Sequence, residues 1–264
     1  MQASTVLFLT FFPLLIMASQ TGILGLQGTV GGLVFAKDGS VRQKPASNKA
    51  SFMSSASMAR TRENASEFGR AANGGKLIRQ AFRSLIATAS DSRMVSRLTQ
   101  AVRAIVGLDE TNDRGARAVD KDNIGGLLGF DFNGSAGIGQ SLFFPYGVAV
   151  AGADVTMTIP SITPGTDIQA PQGATHFEVL YGAAALNFET NTYEVAAVAA
   201  PLGILALNSA PVLNTRLAAM LPVAPTVDDV VIGVVGVNFY QSLNGKMYPL
   251  NNNATNPLAI AYAQ

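Results

Sequence analysis

The chain has 264 residues, 48% hydrophobic and only 13% charged, with a net charge of +1. It is long enough for one large domain or two small ones, and it can bury a core while keeping an unusually neutral surface. It contains no cysteine, which excludes disulfides, thiolate metal sites, cysteine nucleophiles and a lipid anchor on cysteine together.

The single histidine, His176, sits in the apolar, strand-like run Thr175-His176-Phe177-Glu178-Val179 and reads as structural. No Gly-x-Ser-x-Gly elbow accompanies it, and a zinc site would need carboxylates in place of the missing His and Cys ligands. The charge is unevenly spread: residues 1–122 carry 16 Lys and Arg against 9 Asp and Glu, net +7, whereas residues 123–264 carry 2 against 8, net −6. A basic front and an acidic back can meet head to tail in neighbouring copies, a contact that builds rings or filaments. The front is also suited to nucleic acid or an acidic surface. The plainer alternative is that both halves fold together with their charges solvated.

Taken in order, the chain starts with an apolar run over residues 1–18, Val6 to Ala18 at its heart. It has the length of a signal peptide and is short for a membrane span. Three readings stand: a cleaved signal, an over-extended start with the protein beginning at Met17, or a segment retained and buried in an assembly. Thr21 to Lys44 reads as a β-hairpin with its turn at Lys37-Asp38-Gly39-Ser40, since Asp-Gly between short runs is a hairpin signal. Pro45 to Ser57 reads as a linker. Three helices are predicted next. The first covers 57–72 and is ended by Asn73-Gly74-Gly75; the second covers 76–89; the third runs from a Ser90 or Asp91 cap to Val106, with Gly107 as its stop. Gly74-Gly75-Lys76 is no phosphate loop, because Leu77 stands in the Ser/Thr position and Arg70 in that of the first glycine. The third helix carries an apolar stripe (Met94, Val95, Leu98, Ala101, Val102, Ile105, Val106) that wants a partner surface.

Away from that stripe lie Arg60, Arg62, Arg70, Arg79, Arg83, Arg93, Arg97 and Arg103. Such a set could grip phosphates or carboxylates, or form a solvated face paired with Glu63, Glu67 and Asp91. Few aromatics interleave, which argues against stacking on single strands. Leu108 to Asn123 reads as a solvated loop whose acids do not have calcium-loop spacing. From Leu127–Asn133 onward strands are predicted: Ser141–Phe144, Asp154–Ile159, His176–Asn187, Tyr193–Val198, Arg216–Leu221, Asp229–Ser242, Lys246–Leu250 and Leu258–Ala263. Turns fall at Pro160–Gly165, Glu189-Thr190-Asn191 and Asn244-Gly245, the last being the clearest hairpin in the chain. The apolar run Val230–Val237 implies a strand covered on both faces, or an interface.

Three pieces carry a resemblance: Gly28-Thr29-Val30-Gly31-Gly32-Leu33-Val34-Phe35, the stretch Ala59-Arg60-Thr61-Arg62-Glu63-Asn64-Ala65-Ser66-Glu67-Phe68-Gly69, and Ser92-Arg93-Met94-Val95-Ser96-Arg97-Leu98. Together they resemble a family of uncharacterised Bacteroidota proteins, closely over residues 17–135 and more loosely beyond. The resemblance implies a start near Met17 and supplies no catalytic residues to carry over.

The expected architecture is α+β: an N-terminal β-hairpin and helical segment followed by a mainly antiparallel β-sandwich, with boundaries at 1–18, 19–122 and 123–264. The function that fits best is non-enzymatic: a structural protein that self-assembles, as a filament, sheath or virion-type subunit. No catalytic, cofactor or metal residues are assigned, and no cofactor is expected. The candidate interface residues are Arg60, Arg62, Arg93, Arg97, Val231, Val234, Leu258 and Ile260. The expected partner is another copy of the chain, at an extracellular, cell-surface or virion location and without a stable membrane span. A surface-exposed β-sandwich that binds a glycan or protein is the alternative, followed by a nucleic-acid binder working through the arginine-rich helices. A hydrolase would have to draw on the scattered acids Asp131, Glu178, Glu189 and Glu194.

Overall fold

A computed structural model describes residues 18–19, 25–44, 49–196, 202–250 and 254–264. The three readings of residues 1–16 lie outside these, as do the Thr21–Leu24 end of the expected hairpin and the Ala197–Val198 end of an expected strand. The described chain falls into two compact units, divided between Met58 and Ala59.

The first unit is a small antiparallel meander. Its strands β1 (Ala18–Ser19), β2 (Gly28–Val30), β3 (Leu33–Phe35) and β4 (Ser40–Gln43) lie in the order β1-β4-β3-β2. Two turns therefore replace the one expected. Gly31 and Gly32 close β2 on β3 with φ of 56° and 83°, which glycine adopts without a Cβ penalty. At the Asp-Gly turn, Asp38 Oδ1 accepts the Ser40 N–H at 2.9 Å and its hydroxyl at 2.7 Å. These bonds hold the Asp38 carboxyl below its ordinary value. Where a linker was expected the chain forms a short helix, α1 (Lys49–Ser54), and a 3-10 turn at Ala56–Met58.

In the second unit α2 (Ala59–Ala81) runs unbroken through Asn73-Gly74-Gly75. The sequence reading ended a helix there because glycine is a poor helix former. The structure shows what the glycines do instead. A Cβ on Gly74 would stand 3.1 Å from Val102 Cγ1 and 3.3 Å from Val119 Cγ2, and one on Gly75 would stand 3.6 Å from Thr99 Oγ1. They are the surface on which the helix carrying Val102 lies. After a one-turn helix α3 (Arg83–Ile86), that helix is α4 (Met94–Gly107). It starts later than expected. Asp91 precedes it and uses its carboxylate on the N–H of Arg93 and of Gly134. Of the expected apolar stripe of α4, Met94, Leu98, Val102, Ile105 and Val106 are buried and Ala101 is part-buried, whereas Val95 is 46% exposed on the outer side.

A 3-10 segment, Lys121–Leu127, follows, so the strand expected at 127–133 begins late. After a turn at Gly129 (φ 77°) it makes a single bridge, Asp131 to Ala259, and bonds to the strand that carries Leu258 and Ile260 through Gly129 N–H to Ile260 O and Phe132 N–H to Leu258 O. The strand expected at Ser141–Phe144 shrinks to a single antiparallel bridge, Leu142 to Ile168, and Ser141 ends a helical turn, α5 (Ile138–Ser141). Asp131 Oδ1 anchors its start by accepting the Ile138 N–H.

The sheets come next. β5 (Gly147–Ala151), β6 (Asp154–Ile162) and β10 (Val212–Met220) form an antiparallel three-stranded sheet in the order β10-β6-β5. β6 runs on through Pro160, where a turn was expected. The ladder skips the Pro160–Asn214 pair without a change of register, and Asn214 takes φ 53°, a local irregularity opposite the missing N–H. A one-turn helix α6 (Pro164–Asp167) then leads to the larger sheet. That sheet is built on β7 (His176–Asn187) and β11 (Val230–Leu243), paired from Tyr240–His176 to Val230–Leu186. β8 (Thr192–Val195) and β9 (Leu205–Ala206) flank β7, while β12 (Lys246–Pro249) and β13 (Leu258–Ala263) flank β11. The β11–β12 turn is Asn244-Gly245, with φ of 51° and 76°, as its sequence demands.

This six-stranded sheet is the middle layer. Leu180, Ala184, Leu186, Val230, Ile232, Val234, Leu258 and Ile260 pack against the helices. The alternate positions, among them Phe177, Val179, Tyr181, Val231, Val235 and Phe239, pack against β6 and β10. The long apolar run of β11 is thus covered on both faces by the chain itself. The α+β expectation holds: helices precede an antiparallel sandwich. Residues 59–122 and 123–264 share the helix-side core.

Candidate functional site

The arginines were expected on a gripping or solvated face. The structure turns several of them inward. Arg97 donates to the carbonyls of Asp131 (2.7 Å) and Phe132 (3.1 Å), pairs with Asp91 and lies over the Phe130 ring at 5.3 Å. Arg70 donates to the carbonyls of Gly115 (2.7 Å) and Arg117 (3.1 Å). Arg103 meets Glu67 at 2.6 Å. Arg60 pairs with Glu63 at 3.0 Å on the surface, and the exposed Arg93 has its own N–H bonded to Asp91. Arg62 also lies on the outer turn of α2 and is part-buried. Among the apolar interface candidates, Val231 is 6% exposed, Val234 0%, Leu258 1% and Ile260 1%. They fill the cores on either side of the sheet, where no folded copy reaches them.

Two carboxylates that the sequence reading placed in solvent are buried. Glu67 is 1% exposed; its Oε1 accepts the Gly115 N–H at 2.8 Å. That bond, and then the Arg103 charge, hold its carboxyl low against the opposing pull of burial. The signal was present in the sequence: Glu67 lies four residues before Ala71 on the stripe that continues through Gly74 and Ile78. Asp109 is 2% exposed and accepts from the N–H groups of Thr111, Asn112 and Ala118 and from Asn112 Nδ2. The Ala118 bond leads in lowering its pKa to about 2. Asp followed by Thr and Asn two and three residues later is the pattern of such a turn. Glu67 and Arg70 strap the 109–118 segment to α2, and Asp109 closes that loop on itself. Beside it lie two adjoining hollows that share Val119, Phe188 and Glu189. One, of about 250 Å³, reaches Lys121 and Asp228; the other, of about 280 Å³, reaches Arg70, Asn73 and Asn191.

The acids considered for hydrolysis do not converge. Glu178 accepts from the Tyr240 hydroxyl at 2.8 Å. Glu194 pairs with Ala185, roughly 23 Å along β7 from Glu178 at the usual strand rise. Glycosidase carboxylates stand about 5–9.5 Å apart. Asp131 is half-buried with its pKa raised by desolvation, and its carboxylate is bonded to the Ile138 N–H. Glu189 is exposed beyond the end of β7. His176 Nδ1 is 2.8 Å from Thr175 Oγ1. Among the described residues no cluster of three or more His, Asp or Glu could hold a metal, and no helix is long and apolar enough to cross a membrane.

What the second unit does present is the outer face of the three-stranded sheet. Its cross-strand rows are Gly147–Thr158–Arg216, Ala149–Thr156–Ala218 and Ala151–Asp154–Met220. Arg216 folds over the face and donates to Thr156 Oγ1 at 3.2 Å. Apart from Asp154 at one end, the remainder is small or apolar, and Met220 is 70% exposed. The sequence reading missed β5, because five residues of Gly, Ala and Val look like loop between stronger elements. The signal was the alternation of Val148 and Val150 within a stretch, Phe132 to Ala153, that has no charged residue.

No family model, curated protein or solved structure matches this chain.

Proposed function

We propose that this chain is a non-enzymatic structural subunit that assembles with itself, at a cell surface or in an extracellular or virion-type particle. The observation that carries this is the outer face of the three-stranded sheet: built largely of small residues, with one arginine and one aspartate in its rows, and open along both edges. Such a face is suited to close packing against another protein surface. The inward use of Arg70, Arg97 and Arg103 supports the same reading, since these side chains are engaged within the fold and not offered to phosphate. Light scattering and negative-stain images of the purified full chain test it. Regular multimers are expected; a single species of monomer mass at all accessible concentrations overturns the reading.

The paired hollows favour a second reading, a surface module that binds a ligand. Phe188 with Arg70, Asn73, Glu189 and Asn191 around it offers an aromatic face and planar polar groups, the chemistry a sugar takes. Chemical-shift changes confined to these residues on adding soluble oligosaccharides would support it.

A further inference from the structure

Sheet edges invite pairing, and proteins guard them with charge, proline, bulges, shortness or cover. In the second unit β13 is covered by residues 129–132. β12 is four residues long and includes Lys246 and Pro249. β8 is equally short and carries Glu194. β10 has the positive-φ irregularity at Asn214 and carries Arg216. β5, at five residues, has no charge, proline, bulge or cover. It reads Gly-Val-Ala-Val-Ala, it is the outer strand of its sheet, and no backbone group of Gly147–Ala151 bonds to anything but β6 among the described residues.

We infer that β5 is a pairing edge for the β5 strand of a second copy, antiparallel across a two-fold axis through Ala149. This rests on the assembly reading and gives it a contact. The charge pattern selects the occupant. A two-fold contact sets each residue against itself or its mirror, so a charged edge repels its own copy. β10 would do so through Arg216, which stands at the centre of the strand and would face its own copy. β5 lies in the charge-free stretch Phe132–Ala153 and has no such conflict. Full overlap sets the register: Ala149 faces its counterpart, Val148 faces Val150 and Gly147 faces Ala151. The part-buried Val148 and Val150, which already pack on the sandwich core, then continue that core across the axis. A slip by one residue would turn the valines outward. Phe143, 56% exposed, and Tyr146, 37% exposed, flank the strand and supply aromatic area at the rim. The two three-stranded sheets become one six-stranded sheet.

The absence of native cysteine makes the test direct. Opposed residues in an antiparallel pair have Cα atoms about 4.5–5.5 Å apart, within disulfide reach. In the full chain, Ala149→Cys is expected to give a covalent dimer on mild oxidation, and Met220→Cys on the β10 side is not. Ala149→Lys and Ala149→Asp, at an exposed position, are each expected to remove the two-fold contact, and mixing them is expected to restore a heterodimer. A cross-link between Ala149→Cys and Met220→Cys chains would show a head-to-tail β5–β10 contact and overturn the two-fold. Wild-type multimers unaffected by Ala149→Lys would overturn the β5 contact and leave assembly standing. A monomeric wild type would overturn both.

Discussion

The two faces of the central sheet are held by different means. On the helical face directional bonds fix the position of each piece. Asn256, fully buried, accepts the Phe239 N–H and donates to Thr88 O and to Asn238, while Asn133 donates to Asn256 O. Glu67, Asp91 and Asp109 add charged bonds from the helices and the loop beside them. On the sandwich face the fit is apolar, and two buried hydroxyls there, Tyr181 and Thr215, have no partner. Burial lifts the Tyr181 pKa well above the ordinary range. The contrast teaches that the helices are located by polar bonds, whereas the outer sheet is located by shape and strand register.

If so, removing polar groups should cost much on one face and little on the other. Asn256→Ala strands a buried N–H and breaks the link to Thr88, and is expected to destabilise by about 3–5 kcal/mol in urea unfolding. Glu67→Gln keeps the shape and loses the charge. About 2 kcal/mol is expected, less than for a wholly buried pair because Arg103 is 32% exposed. A cost under half a kcal/mol would mean that the strap is ornamental. Acid should loosen the helical face first. The carboxyls of Glu67, Asp91 and Asp109 are held low in the fold. Their stabilisation is present above the unfolded carboxylate range, near pH 4, and is lost as pH falls through the folded values, near pH 2 for Asp109. Hydrogen exchange at decreasing pH should therefore open α2 and residues 109–118 before β7 and β11; simultaneous opening would erase the distinction. The smallest effect belongs to Tyr181→Phe. It is expected to be neutral, or stabilising by up to about 1 kcal/mol, because the hydroxyl removed has no partner. A clear loss of stability would place a bound water or partner at that oxygen.

Sequence alone carried the strands well where one force dominated. β7 and β13 fall on their expected bounds, His176–Asn187 and Leu258–Ala263, because long apolar runs and nearby turn residues leave few alternatives. The Asn244-Gly245 hairpin follows from backbone sterics and was legible for that reason. Tertiary context decided the rest. Gly74-Gly75 had the composition of a helix end and the role of a packing surface. Glu67 had the composition of a solvated face but lay on the buried stripe. The 127–133 and 141–144 segments have strand-like composition, yet capping by Asp120 and Asp131 makes 3-10 and helical turns beside them. Of the candidate surface residues, Arg97, Val231, Val234, Leu258 and Ile260 were chosen for charge or hydrophobicity. Those same properties committed them to the interior and its margins. β5 was invisible because a strand of small residues has no strong local preference until β6 is beside it.

The glycine pair in α2 also bears on the route by which the chain reaches this state. Two adjacent glycines weaken a helix by roughly 2 kcal/mol relative to alanine, and within α2 nothing offsets that until Val102 and Val119 come to rest on Gly74. In the unfolded ensemble the two halves of α2 are therefore separate nucleation problems. They become one rod when α4 docks, so the continuity of that rod reports a completed helix layer and not a local preference of its sequence.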